Sequence, residues 1–234
     1  MQGNRNLAVR GPARIQFYIA ALAAVYGAKR PPPRRARPPA LDELVLTILS
    51  QNTNDLNRDR AWHSLRQRFP SWEDVLGAKH REVVAAIRVG GLAEQKAVRI
   101  QAALARIKEE QGAFSLERLC RLPLQEAHDY LLSFNGVGDK TAAVVLLFSC
   151  GKPAFPADTH VLRVSRRLGL IPEKATAHEA HEKLGRLVPE NKMYEFHLNL
   201  IAHGRAVCRA QKPDCPRCCL NSRCRYYRRM KPKS

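Results

Sequence analysis

Apolar residues recur along most of this chain at intervals of three and four, the spacing that lines one face of an α-helix. "ARIQFYIAALAAVYG" sets Ile15, Tyr18, Ile19, Leu22 and Tyr26 on one such face. "KRPPPRRARPPA" interrupts the pattern; consecutive prolines do not fit a helix, so Lys29 to Ala40 is predicted to be a linker. "LDELVLTILSQ" is apolar enough for a buried helix, and "NDLNRDRAWHSLRQRF" is amphipathic, with Leu56, Trp62 and Leu65 inward. "SWED" from Ser71 and "SLER" from Ser115 carry helix-start signals. "REVVAAIRV" and "LAEQKAVRIQAALARIKEE" flank a turn at Gly90-Gly91. Later helices are expected near 124–133, 139–150, 158–168, 176–187 and 191–207. Strand alternation is nearly absent and no tandem repeat is found. The prediction is an all-α fold of roughly ten short helices.

Composition changes this picture little, but charge changes it a great deal. The 234 residues, 45% hydrophobic, can build one or two domains with a real core. Forty Lys and Arg against twenty-one Asp and Glu give a net charge of +19. Nucleic acid is the commonest partner of such an excess. No apolar run approaches the roughly 20 residues that span a bilayer, so a membrane partner is not expected. The excess gathers at both ends: residues 1–40 hold eight Lys and Arg and no acid, residues 208–234 nine and only Asp214. The Arg-rich start lacks Ser and shows no secretory pattern, and the expected location is cytoplasmic, with the nucleoid. Cys120 and Cys150 stand alone in apolar helical context and read as small buried hydrophobes. The other five cysteines fall between Cys208 and Cys224, which favours a metal site over a disulfide framework.

The stretch "FNGVGDKTA", Phe134 to Ala142, joins two predicted helices through Gly136-Val137-Gly138. Glycine reaches positive φ and lets another backbone approach, and free N–H groups at Gly138 would seat an anion. Such a hairpin grips a nucleic-acid phosphate without reading sequence; a plain tight turn is the alternative. Lys140 follows in the first helical turn, where the dipole disfavours positive charge. Partial burial would add to that and leave a neutral amine available as a nucleophile. In "PADTHVLRV", Asp158 is placed to cap the next helix through Thr159 to Val161.

"CRAQKPDCPRCCLNSRC" sets Cys208, Cys215, Cys218 and Cys224 at x6, x2 and x5 spacings. Four thiolates this close can enclose one metal centre, and zinc or a [4Fe–4S] cluster would both accept them. Cys219 is a spare thiol beside a ligand.

"FNGVGDKTAAVVL", "PADTHVLRV" and the terminal cysteines, in this order, resemble the endonuclease III family of DNA glycosylases, as a divergent bacterial member. The resemblance covers nearly the whole chain after the proline linker. It implies a two-lobed helix-hairpin-helix fold: residues 40–151 as a six-helix barrel, and 1–39 with 152–234 as an iron–sulfur domain. Lys140 and Asp158 would face each other across the cleft between the lobes. The cysteine spacing matches the family's loop, so Cys208, Cys215, Cys218 and Cys224 would hold a [4Fe–4S] cluster, and Arg209, Lys212, Arg217 and Arg223 in that loop would face phosphates. The implied activity is bifunctional: a damaged, oxidised pyrimidine is flipped from the duplex. Lys140 would then attack C1′ and form a Schiff base, helped by Asp158, and β-elimination would cut the strand.

The same resemblance points to two loops that enter duplex DNA. Leu92 matches an apolar wedge, and Asn52, with Gln51 one place earlier, matches a gap-filling position usually held by glutamine. Phe134-Asn135-Gly136 departs from the usual Leu-Pro-Gly, and Asp139 stands where a basic residue is common. The expected partner is double-stranded DNA containing a damaged base or abasic site, bound by a monomer. Two other functions remain open: a mismatch glycosylase for thymine or uracil opposite guanine, and a non-catalytic DNA-binding or redox-sensing iron–sulfur protein.

Overall fold

The computed structural model describes residues 12–230. The chain divides into two compact units, Pro32–Pro156, and Met1–Pro31 with Ala157–Ser234. Among the described residues all regular structure is helical, and no helix is long and apolar enough to cross a membrane.

In the first of these units the helices are α2 (Ala40–Leu49), α3 (Asp55–Arg68), α4 (Trp72–Gly77), α5 (His80–Ile87), α6 (Ala93–Gln111), α7 (Leu124–Leu132) and α8 (Asp139–Val144). The interior helix is α2. Leu41, Leu44, Val45, Ile48 and Leu49 are all at most 2% exposed, because neighbours cover α2 on several sides. Burying such side chains stabilises by about 1.5–3 kcal/mol each. The Ser71 capping box forms as expected: its hydroxyl accepts from Asp74 N–H, and the Asp74 carboxylate accepts from Ser71 N–H. Beyond Val144, helix α8 widens into a π-helical turn over Val145–Ser149. Cys150 ends that turn and is joined by a disulfide to Cys120, 30 residues earlier. The two are therefore partners, half-buried, rather than independent small hydrophobes.

Leu65 is fully buried and Trp62 packs partly against the core, but Leu56 is 60% exposed. Leu56 sits in the first turn of α3, beside the Ser50–Asn54 turn, where the core does not cover it.

The second unit is built from α1 (Pro12–Tyr26), α9 (Thr159–Leu168), α10 (Ala177–Leu187), α11 (Met193–Ala206) and α12 (Arg225–Met230). Helix α11 packs against both α1 and α9, and α12 packs against α9. Ile15, Tyr18, Ile19 and Leu22 are buried, while Tyr26 at the end of the stripe is half-buried.

Candidate active site and thiol-lined cavity

The hairpin begins where α7 stops at Leu132. Phe134 is 4% exposed, meets Tyr130 edge-on and carries the Arg106 guanidinium 4.5 Å above its ring. A phenylalanine at this position thus fills a core slot. The turn closes with Val137 N–H donating to Phe134 O at 3.1 Å, and Gly136 adopts φ +77°. A Cβ at Gly136 would lie 2.4 Å from Arg99 Nε, so this position combines positive φ with no room for a side chain. Gly138 caps α8 with no side-chain hydrogen bond, and a Cβ there would meet nothing within 4 Å. Asp139 faces His128, with Oδ1 3.5 Å from Nε2.

Lys140, the second residue of α8, is half-buried, and its Nζ lies 3.5 Å from Ser50 Oγ. Ser50 in turn donates to Thr47 O at 2.7 Å. Glu43, one turn before Thr47 on α2, is close enough to Lys140 to feel its charge. Burial raises the Glu43 carboxyl above the ordinary carboxylate range, and Arg58 and Lys140 pull it partly back.

Ser50 opens the turn that carries the next two predicted site residues. Gln51 is folded inward: Nε2 donates to Gly136 O at 3.0 Å, and Oε1 accepts from Arg99 Nη1 at 2.8 Å. Asn52 is exposed, with φ +51°. Leu92, on the turn before α6, is 47% exposed with φ +50°. Lysine 96, by contrast, is 1% exposed, and its Nζ donates to Leu49 O and Gly90 O, both at 2.8 Å. Burial lowers its pKa to about 8. The structure therefore brings Lys140, Gln51 and the Gly136 carbonyl into one polar cluster, and presents Asn52 and Leu92 outward. Ser50, Glu43, Lys96 and Arg99 join that cluster without any sequence signal beyond their positions on amphipathic helices.

In the other unit, Asp158 is the N-cap of α9, with Oδ1 accepting from Val161 N–H at 2.7 Å. His160 packs beside it and shares a 3.0 Å contact with Arg163, whose guanidinium also donates to Gly204 O and Cys208 O. Cys208, Cys215, Cys218 and Cys224 all line one cavity, together with Arg167, His203 and Tyr226. Cys219 does not line it. Among the described residues, no three His, Cys, Asp or Glu side chains are placed to hold a single metal ion. Arg167 donates to Cys208 Sγ at 3.4 Å, and His203 Nε2 lies 3.4 Å from Cys218 Sγ. Burial pushes the Cys218 thiol up to about 12 and raises Cys215 and Cys224 as well, with neighbouring thiolates adding to each. Crowded, buried sulfurs that repel one another as thiolates are a donor set suited to a cationic cluster.

Arg209, Lys212 and Arg217 are exposed on the loop around these cysteines, Lys212 with φ +46°. Arg217 lies 3.6 Å from Asp214. Arg223 departs from the expectation that it faces phosphates: its guanidinium stacks 4.1 Å from the Phe17 ring centroid. The helix α1 aromatic offers it a closer partner than solvent.

Residues 45–190 match the HhH-GPD superfamily base excision DNA repair protein model. The chain is 35% identical to endonuclease III of Thermotoga maritima over 189 residues, 80% of this chain and 83% of that one. With the Arabidopsis thaliana protein At3g47830 it is 40% identical over 172 residues, 74% of this chain but only 59% of that longer protein. A solved structure of a trapped endonuclease III–DNA covalent intermediate superposes with a TM-score of 0.80 at 27% identity, covering 95% of this chain and all of that one (100%). With a family match across more than half its length and relatives of comparable size, the chain belongs to the endonuclease III family of DNA glycosylases within the HhH-GPD superfamily.

Proposed function

We propose that the protein is a bifunctional DNA glycosylase and abasic-site lyase that removes oxidised pyrimidines from duplex DNA. The observation that carries this reading is the setting of Lys140. Its amine stands in the first turn of α8, half-buried, directly after the glycine hairpin and 3.5 Å from the Ser50 hydroxyl. A lysine held only for phosphate contact would be better placed out in solvent, as a hydrated point charge.

In this mechanism the neutral Lys140 amine attacks C1′ of the flipped nucleotide. The N-glycosidic bond breaks and its electron pair leaves with the base, which takes up a proton. The sugar ring opens to give an iminium linkage between Lys140 and C1′. Loss of a C2′ proton then expels the 3′ phosphate and cuts the strand. Asp158 would stabilise positive charge developing on the sugar through Oδ2, while Oδ1 stays with the Val161 amide. Asn52 would fill the space left by the flipped nucleotide, and Leu92 would wedge between bases. The backbone at Gly136-Val137-Gly138 and the exposed Arg209, Lys212 and Arg217 would hold phosphates. Cys208, Cys215, Cys218 and Cys224 would hold a [4Fe–4S] cluster, which supplies cross-linking of the loop rather than a chemical step.

Borohydride trapping on duplex DNA with a single abasic site tests the reading, comparing the wild type with Lys140→Ala and Asp158→Asn. The expected result is a covalent adduct in the wild type and none in Lys140→Ala. No adduct from folded wild-type protein would remove the lyase and leave Lys140 as a phosphate ligand.

A further inference from the structure

Helix α6 places two cationic side chains three residues apart, on one face, against three separate loops. Lys96 reaches the carbonyl of Leu49, the last residue of α2, and the carbonyl of Gly90, two residues before Leu92. Arg99 reaches Gln51, which reaches the hairpin at Gly136. We propose that Lys96 and Arg99 are positioning residues that lock the Ser50–Asn54 turn and the Gly90–Leu92 turn in register with the hairpin, and that opening of the base pair depends on this lock more than the chemistry at C1′ does. The proposal rests on the reading above, in which Asn52 and Leu92 enter the duplex.

Three features support it. An apolar side chain could fill the Lys96 site without the cost of burying an ammonium, so the charge has another use. That use is visible: Leu49 O is among the orphan carbonyls at the C-terminus of α2, the negative end of the helix, and a cation satisfies it. Second, both turns hold a non-glycine residue at positive φ, Asn52 at +51° and Leu92 at +50°. Such backbone persists only where its surroundings hold it. Third, the fit of Arg99 leaves no slack. A Cβ on Gly136 would stand 2.4 Å from its Nε, so the guanidinium lies flat on the hairpin backbone. Anything that moves the hairpin on a phosphate is transmitted through Gln51 to the turn carrying Asn52.

The test uses the full-length protein with Lys96→Met, Arg99→Gln and the conservative Arg99→Lys. In the free protein, amide hydrogen exchange in segments 50–54 and 90–92 should quicken about tenfold or more in the first two variants, with the rest of the chain unchanged and Arg99→Lys in between. In single turnover on a duplex with a paired oxidised pyrimidine, Arg99→Gln should lose about 30-fold in base release. On a duplex with an abasic site, where no base must be unstacked, it should lose less than about threefold. Unchanged exchange, or equal losses on both substrates, would overturn the proposal. A wild type that releases no base would defeat the functional reading instead, and the exchange result alone would then decide whether the lock exists.

Discussion

Ser50 Oγ accepts from the Lys140 amine at 3.5 Å while donating its own proton to Thr47 O at 2.7 Å. The second bond fixes the hydroxyl, so a lone pair is left facing Lys140. The proposed nucleophile is therefore aimed by the same turn that presents Asn52.

Ser50→Ala removes that acceptor without touching the hairpin. A part-buried hydrogen bond of this kind contributes about 1–2 kcal/mol, so Schiff-base formation should slow by roughly 5- to 30-fold. The rate of borohydride-trapped adduct under single turnover measures it, with DNA affinity expected within about threefold of wild type. A trapping rate unchanged within about twofold would make Ser50 merely the end of α2.

The two hairpin glycines should behave differently. Gly136→Ala meets both positive φ and the Arg99 side chain, and should cost about 2–3 kcal/mol in urea unfolding. Gly138 has ordinary φ and open space, so Gly138→Ala should leave stability within about 1 kcal/mol. If the backbone there lies against a phosphate, the same variant should still weaken duplex binding, which titration by fluorescence anisotropy would show.

Lys96 gives a pH signature. Its pKa is about 8 in the folded chain against 10.5 as the ordinary value. Below pH 8 both states carry the charge, and the folded state bears the full burial cost. Between the two values the folded state has lost its proton while the unfolded state keeps it, so stability rises with pH; above 10.5 the cost is gone. The span amounts to about 3 kcal/mol. Unfolding free energies of wild type and Lys96→Met from pH 7 to 10 should therefore shift in favour of the wild type by about 2–3 kcal/mol. A flat difference would mean that the two carbonyls keep the ammonium charged throughout.

Among the five clustered cysteines, only Cys219 lies off the shared cavity. Cys219→Ser should retain the wild-type iron and acid-labile sulfide content, whereas Cys215→Ser should lose most of both. Equal loss in both variants would move the ligand set.

Cys120 and Cys150 close a loop 30 residues apart. Such a closure stabilises by about 3–4 kcal/mol in chain-entropy terms. The double variant Cys120→Ser/Cys150→Ser should show that loss in thermal unfolding and be insensitive to reductant, while the wild type shifts on reduction.

Much of this was legible in the sequence where local rules act. The Ser71 capping box and the Asp158 cap on Val161 follow from residue types two or three positions apart. The helix frame follows from the spacing of apolar residues. What was hidden depends on distant partners. Lys96 looks like one more solvated lysine on an amphipathic helix, because its two acceptors come from α2 and from the Gly90 turn. Gln51 and Asn52 cannot be ranked by neighbours alone; Arg99, 48 residues away, turns Gln51 inward. Leu56 follows the inward spacing but lies in a first turn that nothing covers, and Arg223 found Phe17 across 206 residues of chain.

The π-helical turn at Val145–Ser149 has a consequence for how this chain tolerates changes in length. A wider turn holds one more residue than an α-turn, as though a single amino acid had been inserted. Deleting one residue there would restore α-helical pitch and rotate everything after it by about 100°, swinging Cys150 away from Cys120. The first turn, with Lys140, would stay where it is. One end of the helix can thus be edited by evolution while the other keeps its aim.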